Sequence, residues 1–377
     1  MRVLFVYDSI SPIGGGSQLA VFTWLKNLNQ KKIETKLLTG NISQKVKKKI
    51  LDKLILNPSL NLSFFYPHFH LSIFLNSETR KKILSFSPQI IHLHEPSILS
   101  FFILKLVKKN KIKTLISFHT NFNEAKSHTL WFFLLFKKLI TSYQFYLLKE
   151  SDFITAPSNY YQKLLQKEGF KKIFILPYPI KNQFFIENKK PILTIPKIFK
   201  LITVSRLSAE KRIDFLIEMM SYLSNNFQLT IVGDGVDRKF LEKKVKELSL
   251  NSKIIFTGWI RNEVLPRFLK QHHLFVSASS FETFGISYIE SLACGLPLIV
   301  FDYPVTREII PKEMAIFIKE LDPKKWAEEL MRIKNEPKKY LEMKKQIFND
   351  YQKILKYKED YSTKILINIY KKILNEK

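Results

Sequence analysis

Two carboxylates lie eight residues apart in the segment 279–297, which reads SSFETFGISYIESLACGLP. On one unbroken helix, Glu282 and Glu290 would be rotated by about 80° and separated by roughly 12 Å, too far to share one small group. The pair Phe284 and Gly285 instead predicts a helix that begins near Gly285 and leaves Glu282 on the preceding loop. Carboxylates accept hydrogen bonds from hydroxyl groups, and a helix start attracts phosphate. The pattern therefore favours an extended ligand that carries both, and the apolar neighbours of Glu290 predict that its carboxylate has a polar partner.

A pair of basic residues, Arg206 and Lys211, follows another apolar run in TVSRLSAEKR (203–212). The pattern predicts a strand that ends near Ser205 and a helix that begins near Glu210. Cations in a first helical turn oppose the helix macrodipole, whereas an anion bound at that turn would make them favourable. Arg206 and Lys211 are therefore a candidate clamp for a diphosphate. A solvated helix start, with Glu210 as the compensating charge, explains the same residues equally well.

Glycines end several of the apolar runs. Gly233 and Gly258 close the runs IVG and FTG, where glycine permits either a tight turn or a close approach of the backbone to a ligand. The glycine run 14–16 invites an NAD-dependent oxidoreductase as an alternative. The third glycine of the dinucleotide fingerprint is replaced by Leu19, so that fingerprint fails.

Short apolar runs alternate with helix-like stretches along the chain, which predicts strands that are buried on both faces of parallel sheets. The predicted strands are 2–7, 33–38, 90–94, 113–118, 152–156 and 173–176, then 200–205, 227–232, 253–257, 274–277, 298–301 and 315–318. A segment with four prolines, 177–199, separates the two sets. We therefore predict an α/β protein with two doubly wound, Rossmann-like domains, 1–180 and 181–356. Ligands of such sheets bind beyond the carboxyl ends of the strands, so the candidate residues should line a central cleft that both domains face.

Composition excludes some classes of protein. The net charge is +28, and residues 1–180 contribute 26 basic and 9 acidic residues, a net of +17. Only 9 of the 61 basic residues are arginine, which indicates lysine-rich composition rather than a nucleic-acid-binding face. The single cysteine excludes an intrachain disulfide and fits a reducing compartment. No stretch gives the roughly 20 apolar residues of a spanning helix, and Asp8 interrupts the short first run, so we expect neither a membrane span nor a signal peptide.

Taken together, these motifs resemble the retaining glycosyltransferases of family 4, which have the GT-B fold. SSFETFGISYIE resembles the two-glutamate signature, VSRLSAEKR the basic pair, and IVGDGVDRKFLE and FTGWI the two glycine turns. The resemblance continues upstream through GGGSQLAVFTWLKNL (14–28), IIHLHEP (90–96), FHTNF (118–122) and APSNYYQKLL (156–165). The HLHEP and FHTNF segments are most similar to members that glycosylate lipids.

The resemblance implies a nucleotide-diphosphate sugar as the donor, UDP- or GDP-linked, with no cofactor and no metal. Glu290 would hold the ribose hydroxyls, Glu282 the hydroxyls of the transferred sugar, and Arg206 with Lys211 the diphosphate. Other residues would contact the donor through backbone groups or line the ligand site: Gly15, Gly16, Gly233, Gly258, Phe284, Gly285 and Ile286. His119 would reach the donor sugar from the first domain, although a strand-end histidine with a structural partner is the simpler interpretation of that residue alone. His92 and His94 alternate on one strand, so we expect them to face opposite ways and at most one of them to face the ligand.

The implied acceptor is a lipid at a membrane surface, with a soluble or lipid-linked glycan as the alternative. The segment 43–56, SQKVKKKILDKLIL, places Val46, Ile50 and Leu54 along one helical stripe between lysines, a pattern typical of a helix in an anionic lipid interface. An ordinary amphipathic helix that faces the sheet explains the stripe nearly as well. We therefore expect a cytoplasmic enzyme that is peripheral to the inner face of the cell membrane, and helices after about 357 that pack back on the first domain.

Overall fold

The computed structural model describes residues 1–8, 10, 15–40, 51–62, 70–94, 96–119, 131–186 and 193–376, without the side chains of 51 and 131–137. The chain forms two compact units. The first consists of the described residues within 1–123, 136–179 and 359–377, and the second of those within 124–135 and 180–358.

The first unit contains a seven-stranded sheet in the order β3-β2-β1-β6-β7-β8-β9, with all neighbours parallel. Its strands are β1 (Arg2–Val6), β2 (Glu34–Thr39), β3 (Leu54–Leu56), β6 (Ile90–Leu93), β7 (Lys113–Ser117), β8 (Phe153–Ala156) and β9 (Ile173–Ile175), and a separate antiparallel pair consists of β4 (Leu60–Asn61) and β5 (His70–Leu71). The described helices between them are α1 (Gly16–Gln30), α2 (Ser77–Phe86), α3 (Ile98–Asn110), α4 (Trp131–Glu150) and α5 (Asn159–Lys167). The six strands predicted in this half are confirmed.

Strand β3 corrects the prediction of one amphipathic helix over 43–56. Leu51–Lys53 form a single 3₁₀ turn, and Leu54–Leu56 pair in parallel with the end of β2. Leu54 therefore belongs to the sheet edge, where its backbone hydrogen bonds are made with Leu37 and its neighbours. Of the other residues of the predicted helix, Val46, Ile50 and the lysines at 45 and 47–49 lie outside the described residues, whereas Lys53 belongs to the 3₁₀ turn.

The second unit contains a six-stranded parallel sheet in the order β12-β11-β10-β13-β14-β15. The strands are β10 (Phe199–Val204), β11 (Phe227–Val232), β12 (Ile254–Gly258), β13 (Leu274–Ser277), β14 (Leu298–Phe301) and β15 (Ala315–Ile318), so all six strands predicted here are confirmed. The helices are α6 (Ile213–Ser221), α7 (Arg238–Glu247), α8 (Leu265–Lys270), α9 (Ile286–Ala293), α10 (Pro304–Ile309), α11 (Pro323–Asn335), α12 (Lys338–Asn349) and α13 (Gln352–Leu355). Their apolar faces pack on the sheet around Phe199, Leu229 and Trp326, which are fully buried.

The strand order brings the candidate residues of this unit to one edge of the sheet. From β10 the sheet continues in one direction through β11 and β12, and in the other direction through β13, β14 and β15. The strand order therefore reverses between the neighbouring strands β10 and β13. Open α/β sheets bind ligands at this switch point, outside the carboxyl ends of the strands. Arg206 and Lys211 follow β10, and Glu282 follows β13, so both groups lie at the switch point.

A last helix, α14 (Glu359–Asn375), belongs to the first unit although it follows the second in the chain. Trp24 of α1 donates its indole hydrogen to Ser362 Oγ at 3.0 Å, and Asn27 donates to Thr363 Oγ1 at 3.2 Å. Ser362 in turn donates to the carbonyl of Pro177 at 2.6 Å. Because these groups are buried, the bonds fix the helix in one register against α1.

Candidate functional site

The loop after β10 carries the two candidate cations but does not start the α-helix where the sequence indicates. Ala209–Lys211 form a 3₁₀ turn, and Arg212 has a φ of 50°, in the left-handed region that a side chain adopts only at a cost. Helix α6 therefore begins at Ile213, and the prediction that Lys211 occupies a first helical turn is wrong. Lys211 instead projects from the end of a tight turn, so the argument from the α-helix macrodipole does not apply to it.

Lys211 and Glu282 form an ion pair that joins the loops after β10 and β13. The Lys211 Nζ lies 2.6 Å from Glu282 Oε1 and 3.3 Å from the carbonyl oxygen of Phe281, and each side chain of the pair is 14% exposed. Arg212 adds a second link, since its Nε donates to Ser280 Oγ at 3.2 Å. Water is largely excluded from the pair, so its electrostatic attraction is stronger than that of a surface pair.

Arg206 differs from Lys211 in its surroundings. Its side chain is 61% exposed, and the nearest carboxylate oxygen, Glu210 Oε1, lies 3.7 Å from Arg206 Nη2. At that exposure such a pair contributes little to stability. The structure thus brings Lys211 and Glu282 together and leaves the Arg206 guanidinium directed at solvent.

The loop before α9 has the form that the sequence predicts, with the helix beginning at Ile286 directly after Gly285. Gly285 has a φ of 74°, and a Cβ atom there would lie 2.5 Å from the ring of Tyr288, so both backbone conformation and space require glycine. The Phe284 side chain is buried and packs edge-on against Tyr357, with the ring centroids 5.5 Å apart. Only the backbone of Phe284 is therefore available to a ligand, whereas Ile286 is half-buried.

Glu290 is a buried carboxylate on α9, only 5% exposed. The Asn262 side-chain amide donates to its Oε1 at 3.4 Å, and Asn262 itself is held by Gln183, whose amide donates to the Asn262 carbonyl oxygen at 2.7 Å. Burial raises the pKa of Glu290 to about 8, against the smaller lowering effects of Asn262 and Lys181. The polar partner expected for Glu290 is therefore Asn262, which sequence reasoning missed because it lies 28 residues earlier in the chain.

We expect the Glu290→Gln variant to unfold at a higher denaturant concentration than the parent above pH 8. A carboxyl whose folded-state pKa is raised contributes stability below its ordinary pKa, and that contribution is lost as the pH rises through the folded value. The interval from 4.5 to about 8 corresponds to about 5 kcal/mol, which glutamine does not lose because it does not ionise. Urea unfolding of both proteins at pH 5, 7 and 9 measures the difference, with Glu328→Gln on the exposed face of α11 as the control. A difference that does not change with pH would contradict the assignment.

Gly233 and Gly258 hold three strand ends close together. Gly233 has a φ of 134°, and a Cβ atom there would lie 1.8 Å from the carbonyl oxygen of Ser205, so the chain after β11 touches the chain after β10 directly. The Gly233 amide donates to the Gly258 carbonyl at 2.9 Å. Close backbone packing therefore requires glycine at position 233. A contact of Gly233 or Gly258 with a ligand stays a prediction.

In the first unit, His119 follows β7 and has both ring nitrogens in hydrogen bonds. Its Nε2 lies 3.1 Å from His94 Nδ1, and its Nδ1 bonds with the hydroxyl of Tyr178. Burial lowers the pKa of His119 to about 3, so the ring is neutral at physiological pH. Sequence reasoning missed Tyr178, which lies 59 residues further along the chain.

The expectation that His92 and His94 face different ways is wrong. Residues two apart on a strand share a face, and the ring centroids of these two lie 4.0 Å apart. His92 Nδ1 bonds with Tyr370 of α14 at 2.8 Å and its Nε2 with Ser117 at 2.7 Å. Burial is the main cause that lowers the pKa of both histidines well below the ordinary value. We call His92, His94 and His119 the histidine cluster.

The glycine run after β1 lies at the start of α1. Gly15 is the N-cap residue and Gly16 the first helical residue, and Gly15 is exposed. Gly14 lies outside the described residues, as do the last three residues of FHTNF. Within the described part of the chain, no group of three or more His, Cys, Asp or Glu side chains is placed to hold a metal ion. None of the described helices is both long and apolar enough to cross a membrane.

Comparison with known proteins places both halves of the chain. Residues 185–350 match the family model for glycosyl transferases group 1, and residues 14–183 match the model for Glycosyltransferase Family 4. The chain is 29% identical over 174 residues to an uncharacterized glycosyltransferase of Methanocaldococcus jannaschii, which covers 45% of this chain and 44% of that protein. It is 24% identical over 253 residues to the alpha-monoglucosyldiacylglycerol synthase of Acholeplasma laidlawii, which covers 62% and 63% of the two chains. The chain thus matches less than two thirds of the length of either relative.

A crystal structure of Anabaena HepE in complex with UDP and glucose superposes with a TM-score of 0.76 at 13% identity, over 99% of this chain and 100% of that one. At this identity the likeness concerns the fold, which is GT-B. The two parallel sheets, the residues at the switch point of the second sheet and the two family matches lead to one conclusion: the chain belongs to the family 4 glycosyltransferases of the GT-B fold.

Proposed function

We propose that the protein transfers a sugar from a nucleotide-diphosphate donor, UDP- or GDP-linked, to a lipid-type acceptor at the membrane surface, with retention of anomeric configuration and without a metal. The observation that carries the proposal is the Lys211–Glu282 pair at the switch point of the second sheet. The pair places a cation suited to a diphosphate next to a carboxylate suited to sugar hydroxyls, with 2.6 Å between Lys211 Nζ and Glu282 Oε1. A sugar linked to a diphosphate carries both of these groups side by side.

In this proposal the donor lies along the carboxyl edge of the second sheet. Arg206 and Lys211 bind the diphosphate, Glu282 the hydroxyls of the transferred sugar, and Glu290 the ribose hydroxyls. The backbone of Phe284, Gly285 and Ile286 lies at the start of α9, where amides that have no partner within the helix are suited to phosphate oxygens. Gly233 and Gly258 keep side chains away from this edge.

The chemistry follows from charge. The anomeric carbon exchanges its bond to a diphosphate oxygen for a bond to the acceptor oxygen, and the acceptor's hydroxyl proton passes to the departing diphosphate. Negative charge grows on that diphosphate as its bond to the sugar breaks. Lys211 and Arg206 stabilise that charge most strongly in the transition state, where electrostatic stabilisation gives its largest effect. In the structure, Glu282 compensates the Lys211 charge. The diphosphate therefore takes Lys211 from Glu282, which becomes available to the sugar.

The first unit contributes His119, Gly15 and Gly16 in this proposal. Both His119 nitrogens have hydrogen-bond partners, so a contact with the sugar requires the ring to exchange His94 or Tyr178 for a sugar hydroxyl. His119 is neutral, which suits hydrogen bonding to an uncharged hydroxyl and excludes a role as a fixed cation at neutral pH.

The lipid acceptor is supported by two observations. One relative is a synthase of a glycosylated diacylglycerol. Residues 1–180 carry a net charge of +17, which attracts anionic lipid headgroups. The proposed location is therefore the cytoplasm, with peripheral attachment to the inner face of the cell membrane.

One assay tests the proposal. UDP- and GDP-sugars are supplied in parallel with diacylglycerol in anionic vesicles, in neutral vesicles, or with a soluble glycan, each with and without EDTA. We expect one nucleotide sugar to be consumed, a glycolipid whose anomeric proton coupling shows retention, full activity in EDTA, and faster reaction on anionic vesicles at low salt.

The arms of this assay separate the parts of the proposal. Transfer only to the soluble glycan would contradict the lipid acceptor. Loss of activity in EDTA that manganese or magnesium restores would contradict the metal-independent mechanism. Consumption of none of the nucleotide sugars would contradict the donor class itself.

A further inference from the structure

Tyr288, the third residue of α9, places a phenol directly beneath the Lys211–Glu282 pair. Its side chain is fully buried, and the ring packs edge-on against Phe275 of β13 with the centroids 5.6 Å apart. The hydroxyl lies 3.0 Å from Ser277 Oγ and 3.5 Å from Glu282 Oε1. Gly285 also approaches the ring closely, since a Cβ atom there would lie 2.5 Å from Tyr288 Cδ2.

The phenol is a hydrogen-bond donor throughout the physiological range. Burial, followed by the nearby Glu282 carboxylate, raises the pKa of Tyr288 well above its usual value, so the hydroxyl keeps its proton. Ser277 Oγ, Glu282 Oε1 and the Ser279 side chain all lie within reach of the hydroxyl. The distance to Ser277 Oγ is shorter than the distance to Glu282 Oε1.

Two donors thus converge on one oxygen of Glu282, and they differ in mobility. Lys211 reaches Oε1 at 2.6 Å through a flexible side chain, and its charge has a stronger partner in a diphosphate than in one carboxylate. Tyr288 reaches the same oxygen from a ring that packing fixes. When Lys211 turns to the diphosphate, the donor on the rigid ring stays in place.

We propose that Tyr288 is a positioning residue, which hydrogen-bonds Glu282 and holds its carboxylate toward the sugar while Lys211 binds the diphosphate. The proposal rests on the function proposed above. It predicts that the phenol acts through Glu282 and affects recognition of the sugar, not recognition of the nucleotide.

Tyr288→Phe removes the hydroxyl and keeps the packed ring. We expect kcat/KM for the nucleotide sugar to fall about tenfold, as for a lost hydrogen bond to a charged group, while the Kd of the sugar-free nucleotide diphosphate changes less than twofold. Tyr340→Phe is the matched control, since Tyr340 is also buried in the second unit and its hydroxyl has no hydrogen-bond partner among the described residues. That control should keep the parent kcat/KM.

Two further variants decide whether the phenol acts through Glu282. In a Glu282→Gln background, Tyr288→Phe should change the remaining activity less than twofold. Ser277→Ala removes the competing acceptor, so it should keep the parent activity. An equal loss in both backgrounds, or a loss in Ser277→Ala as large as that in Tyr288→Phe, would overturn the proposal.

The contact is also measurable without activity, which separates its failure from failure of the proposed function. Urea unfolding of the parent, the Tyr288→Phe and Glu282→Gln variants and the double variant gives four unfolding equilibrium constants. We expect the two substitutions to depart from multiplicative behaviour by at least about twofold, as contacting residues do. Multiplicative constants would overturn the proposal even if the enzyme is active. A coupling in a protein that consumes no nucleotide sugar would preserve the Tyr288–Glu282 contact, but it would refute both the donor class and the role of Tyr288 in sugar recognition.

Discussion

Replacing Lys211 by alanine is expected to reduce turnover at least tenfold while the second unit remains folded. Truncating one partner of a desolvated, hydrogen-bonded charge pair costs roughly 2–5 kcal/mol, and Lys211 is such a partner toward Glu282 and, in the proposed reaction, toward the departing diphosphate. Arg206→Ala should lose turnover as well, but with almost no change in stability, because Arg206 is exposed and its contact with Glu210 is long.

The comparison is made with kcat and with the free energy of unfolding of each variant. Arg332→Ala is the control, because Arg332 is a half-exposed cation of the same unit, paired with Glu329 on α11. It should match the parent in kcat. Parent activity in both Lys211→Ala and Arg206→Ala would exclude the diphosphate clamp. A loss of turnover that only tracks lost stability would show Lys211 to be structural.

Acidification from pH 7 to pH 4 is expected to unfold the first unit. The folded unit keeps the histidine cluster neutral, because burial lowers all three pKa values, that of His119 to about 3. The unfolded chain takes up protons below about 6.5, so the stability that these groups contribute is complete above that pH and is lost as the pH falls. His119 alone loses about 3 kcal/mol by pH 4, and His92 and His94, whose pKa values burial also lowers, add to that loss in the same direction.

One carboxyl opposes this loss. Burial raises the pKa of Asp8 to about 6, so the folded unit binds that proton more tightly and regains about 2 kcal/mol on acidification. The balance still favours unfolding. In the second unit His272 and His273 also have lowered pKa values, whereas the raised pKa of Glu290 stabilises that unit in acid.

Hydrogen exchange followed by mass spectrometry at pH values from 7 to 4, corrected for the intrinsic rates, measures this for each unit separately. Peptides from β1, β6 and β7 should lose protection at a higher pH than peptides from β10 and β13. His119→Asn should lower the midpoint pH of the first unit, because it removes one site of proton uptake. Loss of protection at the same pH in both units would refute the prediction.

The strands and their parallel arrangement were accessible from sequence because they depend on burial. A continuous apolar run has to be buried on both faces of a sheet, and each run predicted in this way forms a strand. Three described strands were not predicted, namely β3 and the two-residue strands β4 and β5. In β3, Leu54–Leu56 follow a lysine-rich stretch with helical periodicity. Three residues at a sheet edge leave too short a pattern to outweigh that periodicity.

The partners within the site were not accessible, because they depend on contacts between distant parts of the chain. Asn262 meets Glu290, and Tyr370 meets His92 across 278 residues, without a local pattern that marks either pair. The start of α6 was placed too early for a different reason. Arg212 adopts a positive φ, which residues other than glycine and asparagine seldom adopt. Residue propensities therefore predict one continuous helix from about Glu210, whereas the chain turns at Arg212.

The return of α14 to the first unit has a consequence for synthesis of the chain. The larger part of the second unit, Ile180–Lys358, is an insertion, since the first unit is left at residue 179 and resumed at Glu359. During translation, Trp24 and His92 therefore remain without Ser362 and Tyr370 until the whole insertion has left the ribosome. The ends of the insertion meet when it folds, because the Ile180 amide donates to the Tyr357 carbonyl at 2.8 Å. A folded insertion thus closes the long loop in advance and removes most of the entropy cost of docking the last helix. The nascent first unit therefore lacks its final helix until the end of synthesis, and folding of the insertion favours the docking of that helix.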